Sequence, residues 1–276
     1  LSLYNKYRPQ SFAELKGDYS FLQELIKKPD HPHAFLFIGP SGCGKTTTAR
    51  ILAKEVGASD LDIQEFNSSD CNGVDDIRSI ISSIQVMPFG HANVYILDEF
   101  AKVSDGGQNA LLKPLEEPPS HSYFILCTTD PAKILKTIKT RCTIVEFKPL
   151  TEDDLYSILK DVKKKEGLNV SRDVLFSIAS AAGGSARKAL VDLERVAAMP
   201  EGEQIAAISD ETIDNPQVID LCRALFSRPV WGDLNAILRN LKEKKEDPEK
   251  IRRAILGYGQ AILLNKYDDM ALTIMV

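Results

Sequence analysis

The stretch Gly39-Pro40-Ser41-Gly42-Cys43-Gly44-Lys45-Thr46 leaves this chain few architectures to adopt. It has the form G-x-x-x-x-G-K-[ST], directly after the apolar run Phe35 to Ile38 and directly before a helical pattern through Ile51, Leu52 and Val56. Strand, glycine-rich loop and helix in that order make a phosphate cradle. The glycines let backbone N–H groups converge on anionic oxygens, and the helix aims its positive end at them. Chance alone produces the fixed positions in roughly one chain in a hundred of this length. Gly39 through Thr47 are therefore expected to line a nucleotide's phosphates, with Lys45 neutralising the β- and γ-phosphates and the Thr46 hydroxyl binding Mg²⁺.

The rest of the first half has the periodicity of a buried parallel sheet. Runs rich in β-formers at Ala34 to Ile38, Asp62 to Phe66, Val94 to Leu97, Tyr123 to Cys127 and Thr143 to Phe147 alternate with helical patterns. This implies an α/β fold with a five-stranded parallel sheet. Ile77, Ile80, Ile81 and Ile84 recur at i, i+3, i+4, i+7 among polar neighbours, so one amphipathic helix covers a sheet face. After Pro149 the strand signals stop. Helices are predicted over Thr151 to Glu166, Ser171 to Ala182 and Ser185 to Ala198, each opened by a hydroxyl cap, with Gly167 and Gly183-Gly184 closing the first two. A polar stretch, Pro200 to Ser209, leads to further helices at Pro216 to Phe226, at Gly232 to Leu241, and after Asp247-Pro248-Glu249.

The phosphate loop needs an acidic partner at the end of another buried strand, and Val94-Tyr95-Ile96-Leu97-Asp98-Glu99 supplies it. Asp98 is expected to share the Mg²⁺ with Thr46, and Glu99 to polarise a water for attack on the γ-phosphate. The intervening strand Asp62 to Phe66 and the catalytic Glu favour ATP-hydrolysing proteins over small-molecule kinases, in which a substrate hydroxyl attacks.

Composition limits the partners. Lys and Arg total 34 against 39 Asp and Glu, a net charge of −5, so the chain is not a generally basic nucleic-acid coat. Any contact with DNA must come from a local patch or from an assembly. The 5 cysteines are an odd number with no C-x-x-C pair, which argues against a disulfide framework and a zinc module and fits a reducing intracellular compartment. No apolar run approaches the ~18 residues of a membrane span. Leu1-Ser2-Leu3-Tyr4 lacks the order of a signal peptide, so no membrane partner is expected. The missing initial Met and the apolar end, Ala271 to Val276, are those expected of a trimmed chain.

Taken together, several segments across about residues 1 to 210 resemble the ATPase subunits of AAA+ sliding-clamp loaders. They are Lys6-Tyr7-Arg8-Pro9 with Phe12, the phosphate loop, Glu65-Phe66-Asn67-Ser68-Ser69-Asp70, Asp98-Glu99, Asn109 to Lys113 with Leu115-Glu116-Glu117-Pro118-Pro119, Thr128-Thr129, Thr140-Arg141-Cys142, and Gly184 to Leu190. The Leu-Glu-Glu-Pro-Pro and Thr-Thr-Asp-Pro stretches are similar to the bacterial gamma/tau subunit. The Asn-Ser-Ser-Asp stretch is closer to replication factor C small subunits and phage loaders. The resemblance implies a P-loop AAA+ core (1–149), an all-α lid (150–203) and an all-α collar for oligomerisation (204–276). It also implies a ring or spiral of five subunits acting on a sliding clamp and primer-template DNA. The expected location is the cytoplasm of a bacterial or phage-infected cell, or the nucleus if the source is eukaryotic.

The resemblance also assigns roles. Tyr7, Arg8 and Pro9 would lie against the adenine. Asn67 would hold Glu99 away from the water until DNA arrives. Thr129 would sense the γ-phosphate, with Thr128 the lesser candidate, and Arg187 would reach back to the phosphates. Arg141 would serve the ATP of the neighbouring subunit, against the simpler reading of an arginine capping the short helix before it. DNA-facing candidates are Arg78, Lys102, Ser104, Gln108 and Lys113. Four departures from the pattern stand out: Thr140 for the family serine, Phe100-Ala101 after the acid pair, no room for a zinc module between Thr46 and Asn67, and Pro114 inside the helix expected over Asn109 to Glu117. His31, His33, His91 and His121 have no ligand spacing, and Lys163-Lys164-Lys165 reads as a solvated helix face. The competing readings are another AAA+ machine, such as a branch-migration helicase subunit or helicase loader, and a non-hydrolysing structural subunit.

Overall fold

A computed structural model of the chain describes residues 2–17, 19–68, 73–200, 204, 207, 208, 216–226, 231–243, 248, 251, 252 and 254–256. Ser69 and Asp70 of the Asn-Ser-Ser-Asp stretch, Cys71, Asp247 and Glu249 lie outside the described residues, as does most of the polar stretch after Pro200.

Strands β1 (Ala34–Ile38), β2 (Ile63–Asn67), β3 (Asn93–Asp98), β4 (Ser122–Thr128) and β5 (Thr143–Glu146) form one parallel sheet in the order β2-β3-β4-β1-β5. Side chains alternate across the sheet, and the alternation decides which core each one enters. Phe35, Phe37, Val94, Ile96 and Ile125 pack on one face with Ala49, Ile51, Leu52 and Ala53 of helix α3 (Lys45–Glu55). Leu36, Tyr95, Leu97, Phe124 and Leu126 pack on the other face with Ile77 and Ile80 of helix α4 (Val74–Ser83). Burying each such side chain contributes roughly 1.5–3 kcal/mol, so both faces must be covered, as a parallel sheet requires. The isoleucine stripe falls inward as its spacing predicts: Ile77, Ile80 and Ile84 are buried.

The short helices α1 (Leu3–Lys6) and α2 (Ser20–Ile26) precede the sheet. Between β3 and β4 the chain forms α5 (Asp105–Ala110) and α6 (Leu112–Glu116), and α7 (Lys136–Lys139) leads into β5. The single helix expected over Asn109 to Glu117 is broken at Leu111, and Pro114 is the physical reason. Proline has no N–H to give the carbonyl four residues back, and in the first turn of a fresh helix that N–H is not needed.

Helices α8 (Glu152–Glu166), α9 (Arg172–Ala181) and α10 (Ala186–Ala197) follow. Their hydroxyl caps form as read: Asp154 N–H donates to Thr151 Oγ1 at 3.1 Å, Val174 N–H to Ser171 Oγ at 3.3 Å and Lys188 N–H to Ser185 Oγ at 3.3 Å. Helices α11 (Pro216–Phe226) and α12 (Trp231–Glu243) come last among the described residues.

Packing divides the chain into two compact units, Leu1–Lys165 with Ala182–Val191, and Glu166–Ala181 with Asp192–Val276. The first holds the sheet. The second has its own small core of Val218, Leu221, Cys222, Leu234 and Leu241. Among the described residues no helix is long and apolar enough to cross a membrane.

Candidate nucleotide site

The phosphate loop leaves the end of β1, where Gly39 N–H donates to Thr128 O of β4 at 3.2 Å, and runs into α3. Gly42 and Gly44 hold φ of 77° and 102°, a left-handed region that L side chains rarely adopt. This curls the loop and leaves the first N–H groups of α3 directed into it, the groups a helix cannot satisfy itself. Lys45 is buried at 7% exposure, with Nζ donating to Gly39 O at 2.9 Å and Pro40 O at 2.8 Å. The Cys43 thiol donates to Pro40 O at 2.9 Å, and burial raises its pKa, so it stays neutral and does not repel an anion. Burial likewise pushes the nearby Tyr19 hydroxyl to about 12, with Cys43 adding to the shift.

The acid pair meets this loop. Thr46 Oγ1 donates to Asp98 Oδ2 at 2.7 Å, and the other carboxylate oxygen accepts the Glu99 N–H at 2.9 Å. That second bond accompanies a tight turn: Glu99 sits at φ 52°, ψ 38°, the one non-glycine with positive φ among the described residues. Its carboxylate is ion-paired with Lys102. Asn67, at the end of β2, lies at the register position opposite Asp98. Thr128 closes β4 with its hydroxyl accepting the Asp130 N–H at 3.0 Å, while Thr129, one residue on, is exposed beyond the strand end.

A cavity of about 630 Å³ opens beside the loop, within the range of small-molecule sites. Gly42 to Thr47, Tyr7, Arg8, Pro9 and Arg187 all line it. Arg187, on the first turn of α10, lies 5.7 Å from the Tyr4 ring centroid. Burial, reinforced by the neighbouring Arg50, lowers the pKa of Arg8. Gly42 is pressed against the turn that starts α10, its carbonyl accepting the Ala186 N–H at 3.2 Å. Lys165 is exposed, as a solvated helix face implies, and the sequence did not show that its Nζ lies 5.5 Å from the Tyr7 ring, beside Lys6 at 5.7 Å. Its position in a charge run carried no signal of that contact.

Arg141 is outside this cavity. Its Nε and Nη2 donate to Glu116 Oε2 at 3.2 and 2.9 Å, and its Nη1 caps α7 through Thr137 O at 3.0 Å. Of the DNA-facing candidates, Ser104 caps α5 through Gly107 N–H, Arg78 pairs with Asp75 at 3.2 Å, and Lys113 is exposed. Gln108 differs from the other candidates in being buried. It is 1% exposed, its amide donates to Val103 O and Lys133 O, both at 3.1 Å, and its oxygen accepts the Leu135 N–H at 3.0 Å. A side chain tied in this way to three main-chain groups has no free face for a phosphate. Three of the histidines hold main-chain carbonyls: His31 contacts Lys28 O and Tyr123 Oη at 2.7 Å each, His33 contacts Ser122 O at 3.0 Å and His121 contacts Ile84 O at 3.2 Å.

A five-stranded parallel sheet with a phosphate loop after β1 and an acid pair after β3 is a P-loop AAA+ core. The fold is similar to that of Thermotoga maritima RuvB, a Holliday junction branch migration motor, at TM-score 0.63 and 17% identity over 96% of this chain and 94% of that one. A family model described as DNA polymerase III, delta subunit, matches residues 58–151. The chain is 34% identical to DNA polymerase III subunit tau of Bacillus subtilis over 96% of its own length and 52% of that protein's. It is 36% identical to the replication factor C small subunit of Methanococcus maripaludis over 71% of its own length and 64% of that protein's. This chain belongs to the clamp-loader family of AAA+ proteins. It spans about half the length of the tau subunit it matches.

Proposed function

We propose that this chain hydrolyses ATP as one subunit of a loader that places a sliding clamp on primer-template DNA. The observation that carries this is the junction of Thr46 with Asp98 at 2.7 Å, beside Glu99 and a cavity lined by the phosphate loop. A hydroxyl and a carboxylate oxygen are hard donors, and Mg²⁺ binds through one or two protein oxygens together with phosphates and waters, so the pair fits that ion. Thr46 and Asp98 would hold the ion, which would supply positive charge to offset that of the phosphates.

The chain's own groups do the rest. Lys45 exchanges its two loop carbonyls for phosphate oxygens, and the N–H groups of the loop and of the start of α3 hold the remaining ones. Glu99 accepts a proton from the attacking water, Asn67 acts as its restraining group and Thr129 as the sensor of the γ-phosphate. Tyr7, Arg8 and Pro9 cover the base, and Arg187 reports the phosphates. Arg141 completes the site of the adjacent subunit, so hydrolysis depends on assembly. In this reading residues 1–149 are the ATPase core, 150–203 the lid and 204–276 the collar of a five-subunit ring.

Nucleotide binding with Lys45→Ala as control tests the site, and steady-state ATP hydrolysis tests the loader. Hydrolysis should rise with primer-template DNA and rise again when the clamp is added. Stimulation by DNA with no response to a clamp would favour a branch-migration or helicase-loading motor, and binding without any hydrolysis in the assembly a structural subunit.

A further inference from the structure

The pairing of Arg141 with Glu116 joins residues that the loader reading leaves unconnected. Glu116 ends α6, and Arg141 follows α7. Leu115 and Ile138, one on each helix, are buried in the same apolar cluster, so the two helices hold a common position on the sheet face. The helix is interrupted at Leu111, three residues before Pro114, and α6 contacts α7 as well as α5. The guanidinium then uses three of its five N–H donors: Nε and Nη2 on Glu116 Oε2, and Nη1 on Thr137 O. One donor on each terminal nitrogen remains, on a side chain that is 28% exposed.

We propose that Glu116 is the positioning residue for Arg141, holding its guanidinium ready for a phosphate on a neighbouring subunit. This rests on the reading of Arg141 as acting in trans. Two considerations favour orientation over stability. An exposed ion pair contributes little to folding, and pairing with a carboxylate lowers the positive charge the arginine can offer. What the pair supplies is a second anchor, beside the Thr137 carbonyl, that fixes the direction of a long side chain, and misplacement by even 1 Å is costly in a transition state.

The test uses the full chain in its assembled complex, with ATP hydrolysis measured in the presence of primer-template DNA and clamp. Glu116→Gln should lower kcat about 10-fold while leaving the KM for ATP and the Tm unchanged, where the arginine itself supplies about 10³ to 10⁵. Glu116→Asp should recover part of the loss, and in an Arg141→Ala background Glu116→Gln should have no further effect. If Arg141→Ala leaves hydrolysis unchanged, the trans-acting reading falls and this proposal with it. If Arg141→Ala is crippling and Glu116→Gln is neutral or accelerating, the proposal alone falls.

Discussion

Glu99 combines a left-handed backbone with a carboxylate ion-paired to Lys102, and strain of this kind is tolerated where surrounding bonds over-determine the conformation. Glu99→Gln should preserve ATP binding and lower hydrolysis by about 10²- to 10⁴-fold, read from a fluorescent-nucleotide titration beside a phosphate-release assay. Asp62 carries a structural role of similar sharpness. Burial alone would raise its pKa, but bonds from the Ser59 hydroxyl and the N–H groups of Phe89, Gly90 and Ser59 outweigh burial and hold it at about 2. The folded value lies below the unfolded one of about 3.9. The stabilisation is therefore complete above the unfolded value and is lost as pH falls toward 2. Urea midpoints should drop more steeply for the wild type than for Asp62→Asn between about pH 5 and 2.5; parallel curves would remove the effect.

At the scale of elements, the break between α5 and α6 makes a prediction opposite to a mid-helix proline. A proline strained inside one helix would cost ~3 kcal/mol, so replacing it should stabilise by about that much. Pro114 lies instead in the first turn of α6, and Pro114→Ala should change unfolding free energy by no more than about 1 kcal/mol. The contact of the phosphate loop with the start of α10 predicts a larger effect. A Cβ on Gly42 would collide with Ser185 Oγ, the atom that caps α10, and would sit at positive φ. Gly42→Ala should therefore cost about 2–3 kcal/mol, from the lost cap and the left-handed backbone, and weaken nucleotide binding with it. The exposed charges of α4 and of the turn after β3 are tested together: Arg78→Glu with Lys102→Glu should reduce stimulation of hydrolysis by DNA.

For the whole molecule, Arg141 is not among the residues lining the cavity beside its own phosphate loop, and the proposed trans role predicts that activity depends on assembly. A verified monomer should bind ATP yet hydrolyse it about 10³-fold or more below the assembly, the contribution of an arginine delivered in trans. Sedimentation paired with a turnover assay checks this, and brisk monomer turnover would refute it. The net charge of −5 adds a second expectation: the separate chain should bind DNA weakly, with affinity falling steeply as salt rises.

Much of this could be read along the chain. The phosphate loop, the acid pair, the strand positions and the hydroxyl caps depend on neighbours within one turn or one strand, where residue type and spacing decide the outcome. The apolar alternation of β1 and the isoleucine stripe of α4 carried their burial in the same way. Side-chain partners chosen across the fold were legible only where a motif names both, as for Thr46 and Asp98. The strand order β2-β3-β4-β1-β5 is what brings Asp98 to Thr46, 52 positions away. The fold brings Lys133 O and Leu135 N–H to Gln108, which also holds the nearby Val103 O, converting an expected surface residue into a tie. Lys165 and the pair of Glu116 with Arg141 follow the same logic. Local periodicity states which face of an element is apolar, but the partner of a polar tip is set by which elements the buried faces bring together, and that is a property of the packed sheet.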